Sequence, residues 1–209
     1  MHPLAMHCRV ECPPAVLLFD CIQKMGAHRS NPVLELLRDI PTFVVGGKYP
    51  QPPLAFGKDG WRSYYHSHSI ADADVREHGH FHLFTRKGQG WAHLAALSMD
   101  LEGQPLRWVM TNRWVTGSDL CDRNSLLAAI NALVPSEEAD VLRQWLVSLL
   151  KLYQTELGDL LDARDVRIAC LLQGRSKDEV LEDRALYELA CTPIDLTAKL
   201  TSQLTGESR

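Results

Sequence analysis

His78, His80 and His82 stand at alternate positions, and only an extended strand brings alternate residues to one side of a backbone. The segment Glu77-His78-Gly79-His80-Phe81-His82-Leu83-Phe84 is therefore expected to be a strand. Tyr64-Tyr65-His66-Ser67-His68 repeats the pattern and puts His66 and His68 on one side. Alternation and turn residues predict four strands, at about 61–69, 78–86, 91–99 and 105–115. The punctuation between them is Asp72 to Asp74, then Lys87-Gly88-Gln89-Gly90, then Asp100-Leu101-Glu102-Gly103. Connections this short join antiparallel neighbours, so the four strands are expected to form a meander over 61–115.

Helical patterns flank the predicted sheet. Pro13 and Pro14 open an apolar face over 13–26, and Asn31 with Pro32 caps a second helix that Pro41 ends. The Gly- and Pro-rich stretch 46–60 reads as loop. After the sheet, helices are expected over 122–133, from Ser136 onward through Trp145 and Tyr153, from the Ser176/Glu179 capping box to about Ala190, and over 195–204. Strands first and helices afterwards give an α+β fold, not a parallel α/β sheet. We expect one domain, 1–209, with a helical segment 1–45, a histidine-rich sheet 60–116 and a helical part 120–205.

The composition excludes several classes of function. With 45% hydrophobic and 23% charged residues the chain has a globular profile. A net charge of −4 and the absence of any Lys/Arg run argue against a nucleic-acid partner. No apolar run approaches the roughly 20 residues that cross a bilayer, and the start lacks the positive region of a signal peptide. A cytoplasmic location is expected, with the six cysteines as reduced thiols. Cys8, Cys12 and Cys21 cluster without a CxxC spacing.

Six of the nine histidines fall between His66 and His93. With a turn centred near Ala73, His66 would lie opposite His80 and His68 opposite His78, about 5 Å apart at Cβ. Imidazoles so placed can converge on one ion at metal–nitrogen distances of about 2.1 Å. His66, His68, His78, His80 and His82 are thus the candidate ligands, with His93 on the same face from the third strand. All-imidazole ligation suits a divalent transition metal such as Zn, Fe or Cu. Three such ligands and an open position make a catalytic arrangement, as in a mononuclear hydrolase or oxygenase. Glu77 is a candidate general base or ligand, although strict alternation puts it opposite His78 unless the strand begins or bulges there. Gly79 would permit a kink or a close backbone approach. Tyr64, Trp108, Asn112 and Arg113 are the candidate substrate-binding residues, Arg113 as a clamp for carboxylate or phosphate with a catalytic role. Trp61, Trp91 and Trp145 read as core. The expected partner is a small molecule. Two alternatives stand beside a metal enzyme: a metal-free phosphoryl or nucleotidyl enzyme using His80, and a non-enzymatic module that binds a small ligand or a protein on the sheet face.

The blocks Tyr64-Tyr65-His66-Ser67-His68, Glu77 to Phe84, Thr111-Asn112-Arg113-Trp114-Val115-Thr116-Gly117 and Glu182-Asp183-Arg184-Ala185-Leu186 resemble an uncharacterised bacterial domain family from about residue 40 onward. That likeness implies one domain and carries no activity. His78-Gly79-His80-Phe81-His82-Leu83-Phe84 also resembles the histidine-triad motif, whose middle histidine attacks a nucleotide phosphorus. The resemblance would give that role to His80, with Gly79 departing from the apolar residue of the motif. His66-Ser67-His68 is similar to the HxH of cupin barrels, without their usual following Glu and Gly.

Overall fold

The computed structural model describes residues 12–58, 60–67, 76–135 and 139–206. Among them the chain order is α1 (Pro14–Ala27), α2 (Pro32–Leu37), β1 (Lys48–Phe56), β2 (Trp61–Ser67), β3 (Gly79–Lys87), β4 (Gly90–Met99), β5 (Pro105–Thr111), α3 (Arg113–Thr116), β6 (Asp119–Leu120), α4 (Arg123–Asn131), α5 (Val141–Leu152), α6 (Gln154–Leu171), α7 (Lys177–Leu181), β7 (Glu188–Pro193) and α8 (Leu196–Thr205). The fold is α+β, with helices at both ends of one sheet.

The sheet is wider than the expected four strands. Among the described residues it has seven, in the order β1-β2-β3-β4-β5-β7, with β6 paired in parallel to the hairpin end of β4. The central meander is antiparallel, as the short connections require. β1 was expected as loop because Pro50, Pro52 and Pro53 remove backbone donors. It is an edge strand, where prolines are tolerated. β7 falls where a helix was expected to reach Ala190. The Ser176/Glu179 capping box is present, but its helix ends at Leu181. The long C-terminal helix pattern is broken at Tyr153, and α5 starts from the Asp140 cap. The expected start at Ser136 lies outside the described residues.

One face of the sheet is packed by helices. Tyr65, Phe81, Leu97 and Trp108 are fully buried there, Phe81 against Trp145 of α5 and Trp108 against Tyr153. α1 lies on α5, and α6 runs along β5 and β7. Burial of this apolar set, at roughly 25 cal/mol per Å², holds the strands rigidly enough for the opposite face to carry polar groups.

Candidate histidine-lined site

The opposite face is built in rows across the strands. His66 pairs with His80, His80 with Ser98 and Ser98 with Arg107. The next row runs from Tyr64 through His82 to Ala96 and Val109, and the third from Arg62 through Phe84 to His93. The hairpin between β3 and β4 turns at Gly88 and Gln89, with Gly88 at φ +57°, a left-handed turn position that suits glycine. A bulge at Leu94 shifts the β3–β4 register between Leu83 and Phe84. That extra residue lets His93 and Ser98, five positions apart, face the same way.

The side chains of this face form a continuous chain of contacts. Ser98 Oγ donates to Glu77 Oε2 at 2.6 Å, and Glu77 Oε1 lies 2.9 Å from His80 Nδ1. His80 Nε2 is 3.0 Å from His82 Nε2, and His82 Nδ1 is 3.0 Å from His93 Nε2. His93 Nδ1 then lies 3.4 Å from Thr111 Oγ1. All three histidines of the chain are buried. Burial, with the neighbouring histidines, pushes His82 well below the ordinary value, and burial with the charges of His80 and Arg164 pushes His93 down to about 3. Both rings are therefore neutral at pH 7. Burial alone would raise the Glu77 carboxyl, but hydrogen bonds from His80 and Ser98 and the Arg107 charge outweigh it and hold it low.

The ionised Glu77 sets the proton order along the chain. It can only accept, so His80 Nδ1 donates, and in the neutral ring His80 Nε2 then carries the lone pair. His82 must then donate from Nε2 and accept at Nδ1 from His93. His66 obeys the same rule from the other side: its Nδ1 donates to the Gly47 carbonyl at 3.2 Å, which makes Nε2 its basic nitrogen. The His66 ring centroid is 5.7 Å from that of His80 and 6.4 Å from that of His82.

Glu77 reaches this face because β3 begins at Gly79, so alternation does not apply at Glu77 and His78. His78 goes the other way. Its Nδ1 meets Tyr65 Oη at 2.8 Å, and its ring stacks near Phe43. The expectation that His78 joins His80 and His82 is thus corrected: the strand end turns it to the Tyr65 side. Gly79 is what lets Tyr65 pass, since a Cβ there would sit 2.8 Å from Tyr65 Oη and 2.5 Å from the His66 carbonyl oxygen. The expected close backbone approach at Gly79 is this one.

The expected substrate-binding residues separate. Tyr64 is on the site face, its ring 4.9 Å from His82, and burial pushes its hydroxyl up to about 12. Trp108 and Met110 belong to the helix-packed core, because the β4–β5 turn pairs Ser98 with Arg107 and gives the site face Arg107, Val109 and Thr111 instead. A shift of one residue exchanges the faces. Asn112 caps α3 and donates to the Val180 carbonyl. Arg113 is held outside by Asp178 and Glu182 at 2.8 and 2.7 Å. Trp61 and Trp145 are core as expected, whereas Trp91 is half-buried on the site face. His68 lies outside the described residues.

Sequence reading missed Ser98, Thr111, Arg107 and Tyr187. The first two depend on the bulge and on the turn register, which leave no mark in the spacing. Tyr187 precedes a strand that reads as helix. Its hydroxyl is pushed up to about 12 by burial, with Glu77 and Glu188 adding to the effect. Trp114 lies against its ring.

Among the described residues no three His, Cys, Asp or Glu side chains are already gathered around one point as a metal would require. The donor chemistry nevertheless fits an ion in part. His66 and His80 each have Nδ1 anchored to the scaffold, which is how metal-ligating histidines are held. His82 would supply a third lone pair if it and His93 changed tautomer, His82 Nδ1 then donating to His93 and His93 Nδ1 to Thr111. Ring centroids of imidazoles sharing one ion are about 4.5–5.5 Å apart. The His80–His82 separation of 4.6 Å is in that range and the two from His66 are slightly longer.

Fold and site together define an α+β protein with a histidine-rich inner sheet face. The chain belongs to the family described as domain of unknown function DUF6969, whose family model matches residues 15–194. No curated protein and no solved structure matches it. No helix among the described residues is long and apolar enough to cross a membrane.

Proposed function

We propose that His66, His80 and His82 hold a divalent transition metal ion and that the protein is a metal-dependent enzyme acting on a small molecule. The observation that carries this is the common anchoring of the three rings through Nδ1, to Gly47, Glu77 and His93 respectively. Such an ion supplies Lewis acidity at a position left open by three protein ligands. Glu77 fixes the orientation of His80 through its Nδ1. Ser98 and Arg107 hold Glu77 ionised. Tyr64, whose ring lies 4.9 Å from that of His82, is the hydroxyl available to orient a substrate.

Elemental analysis of the purified full chain, grown with and without added Zn, Fe or Cu, tests the proposal. One equivalent of metal is expected, lost in His80→Ala and His66→Ala. Substoichiometric metal in every preparation, unmoved by supplementation, would overturn it.

A second reading is favoured by the 3.0 Å contact between His80 and His82. There the unbroken chain from Glu77 to Thr111 is a metal-free relay, and His80, oriented by Glu77, acts as base or nucleophile. Phosphorylated or nucleotidylated His80, absent from His80→Ala, would decide for it.

A further inference from the structure

Toward the β3–β4 hairpin the site face carries two guanidinium groups on one indole, Arg62 from the third row and Arg86 from the row beyond it. The Arg62 guanidinium lies 4.4 Å from the Trp91 ring centroid and that of Arg86 4.3 Å from it. Arg62 also lies 5.0 Å from the Phe84 ring, which is itself 5.1 Å from His93 and 6.4 Å from His82. These groups thus continue the histidine row toward the hairpin end of the sheet.

Neither guanidinium group is neutralised by a carboxylate among the described residues. Arg107, Arg113, Arg123 and Arg175 each hold a carboxylate. Among the described residues Arg62 and Arg86 have no such ion pair, and Arg62 Nε is buried without a hydrogen-bond partner. Two like charges on one ring repel, and burial already disfavours the charge of Arg62, with Arg86 adding to the effect. Stacking on Trp91 and Phe84 offsets part of this. Stacking engages the faces of the two groups and not their N–H edges, the arrangement that binds planar or tetrahedral oxyanions.

We infer that Arg62 and Arg86, stacked on Trp91, bind the carboxylate or phosphate of an anionic substrate whose reacting part reaches the histidine centre. The inference takes that centre as the place of reaction and so rests on the function proposed above. The anionic group sits beyond Phe84, which gives the substrate an intervening portion in contact with an aromatic ring.

The test uses the full chain, zinc-loaded and metal-free, titrated calorimetrically with inorganic phosphate, with succinate and with neutral succinamide. Phosphate or succinate is expected to bind, succinamide not, and whichever anion binds names the group recognised. Binding should weaken about tenfold or more in Arg62→Gln/Arg86→Gln, the loss expected of charge-assisted hydrogen bonds. It should weaken severalfold in Arg86→Gln alone, where the side chain is exposed and folding is not at stake. The indole fluorescence change on binding should vanish in Trp91→Phe. Zinc content of the same samples is measured in parallel and is expected to be unchanged by these substitutions, so failure of the metal site and failure of the anion site read out separately. No anion binding by the wild-type chain, or equal binding by wild type and double variant, would overturn the inference.

Discussion

The Nε2 atoms of His80 and His82 face each other 3.0 Å apart on one strand, so in the metal-free protein one of them must carry a proton. With His80 neutral, Glu77 decides which: His80 donates from Nδ1, leaving His82 to donate from Nε2. Loading the centre should reverse His82 and His93 together, moving both protons to Nδ1. Ring-nitrogen NMR of the protein before and after zinc addition measures this directly. Unchanged tautomers at His82 after stoichiometric zinc uptake would mean that the ion sits elsewhere.

Removing the carboxylate that orients His80 should weaken the centre without unfolding the sheet. Glu77→Ala is expected to lower zinc affinity by about 10–100-fold, the usual loss for a partner of a metal-bound histidine. Ser98→Ala, which takes one hydrogen bond from Glu77, should have a smaller effect in the same direction. A competition titration against a chromophoric chelator gives both values.

The stability of the metal-free protein should fall in acid well before its carboxylates titrate. His93 is held down to about 3 and His82 is lowered as well, against an ordinary value of 6.5. Above about pH 6.5 both folded and unfolded chains carry these rings neutral, and they add no pH dependence. Below it the unfolded chain takes up protons that the folded chain refuses, so stability declines by up to about 1.4 kcal/mol per pH unit for each ring. For His93 the decline continues to about pH 3. Urea unfolding across this range should show the slope, and a flat profile between about pH 6.5 and 5 would contradict the burial of these groups.

Glycine substitutions separate close packing from backbone freedom. Gly79→Ala brings a methyl within 2.5 Å of the His66 carbonyl oxygen and 2.8 Å of Ser67 Cα, both backbone atoms. It should cost about 1–3 kcal/mol and detach Tyr65 from His78. Gly26→Ala, near the end of α1 with nothing within 4 Å of the new methyl, should instead stabilise by up to about 1 kcal/mol. Chemical denaturation of the two variants compares them.

The parts of the molecule legible in the sequence were those written in a period. Alternating histidines and short turns gave β2 to β4 and put His66, His80, His82 and His93 on one face. Asn31, Asp122 and Ser176 marked helix starts through their caps. What stayed hidden depends on partners distant in the chain. β1 has a proline-rich sequence that only its edge position explains. β7 pairs with β5 across about eighty residues and has no alternation of its own to announce it. Trp108 and Arg107 exchanged faces because a turn register of one residue cannot be read from composition. His78 left the site because a strand end is free to turn either way, and Tyr65 held the proton partner that decided the direction.

The pairing of His66 with His80 across β2 and β3 has a mechanical consequence. An ion gripped from both strands is a cross-link between them, added to the backbone ladder and to the Tyr65–His78 contact at that end. Occupancy would then be recorded as slowed deuterium uptake by the amides on either side of that ladder, a signature that persists whatever substrate the centre serves.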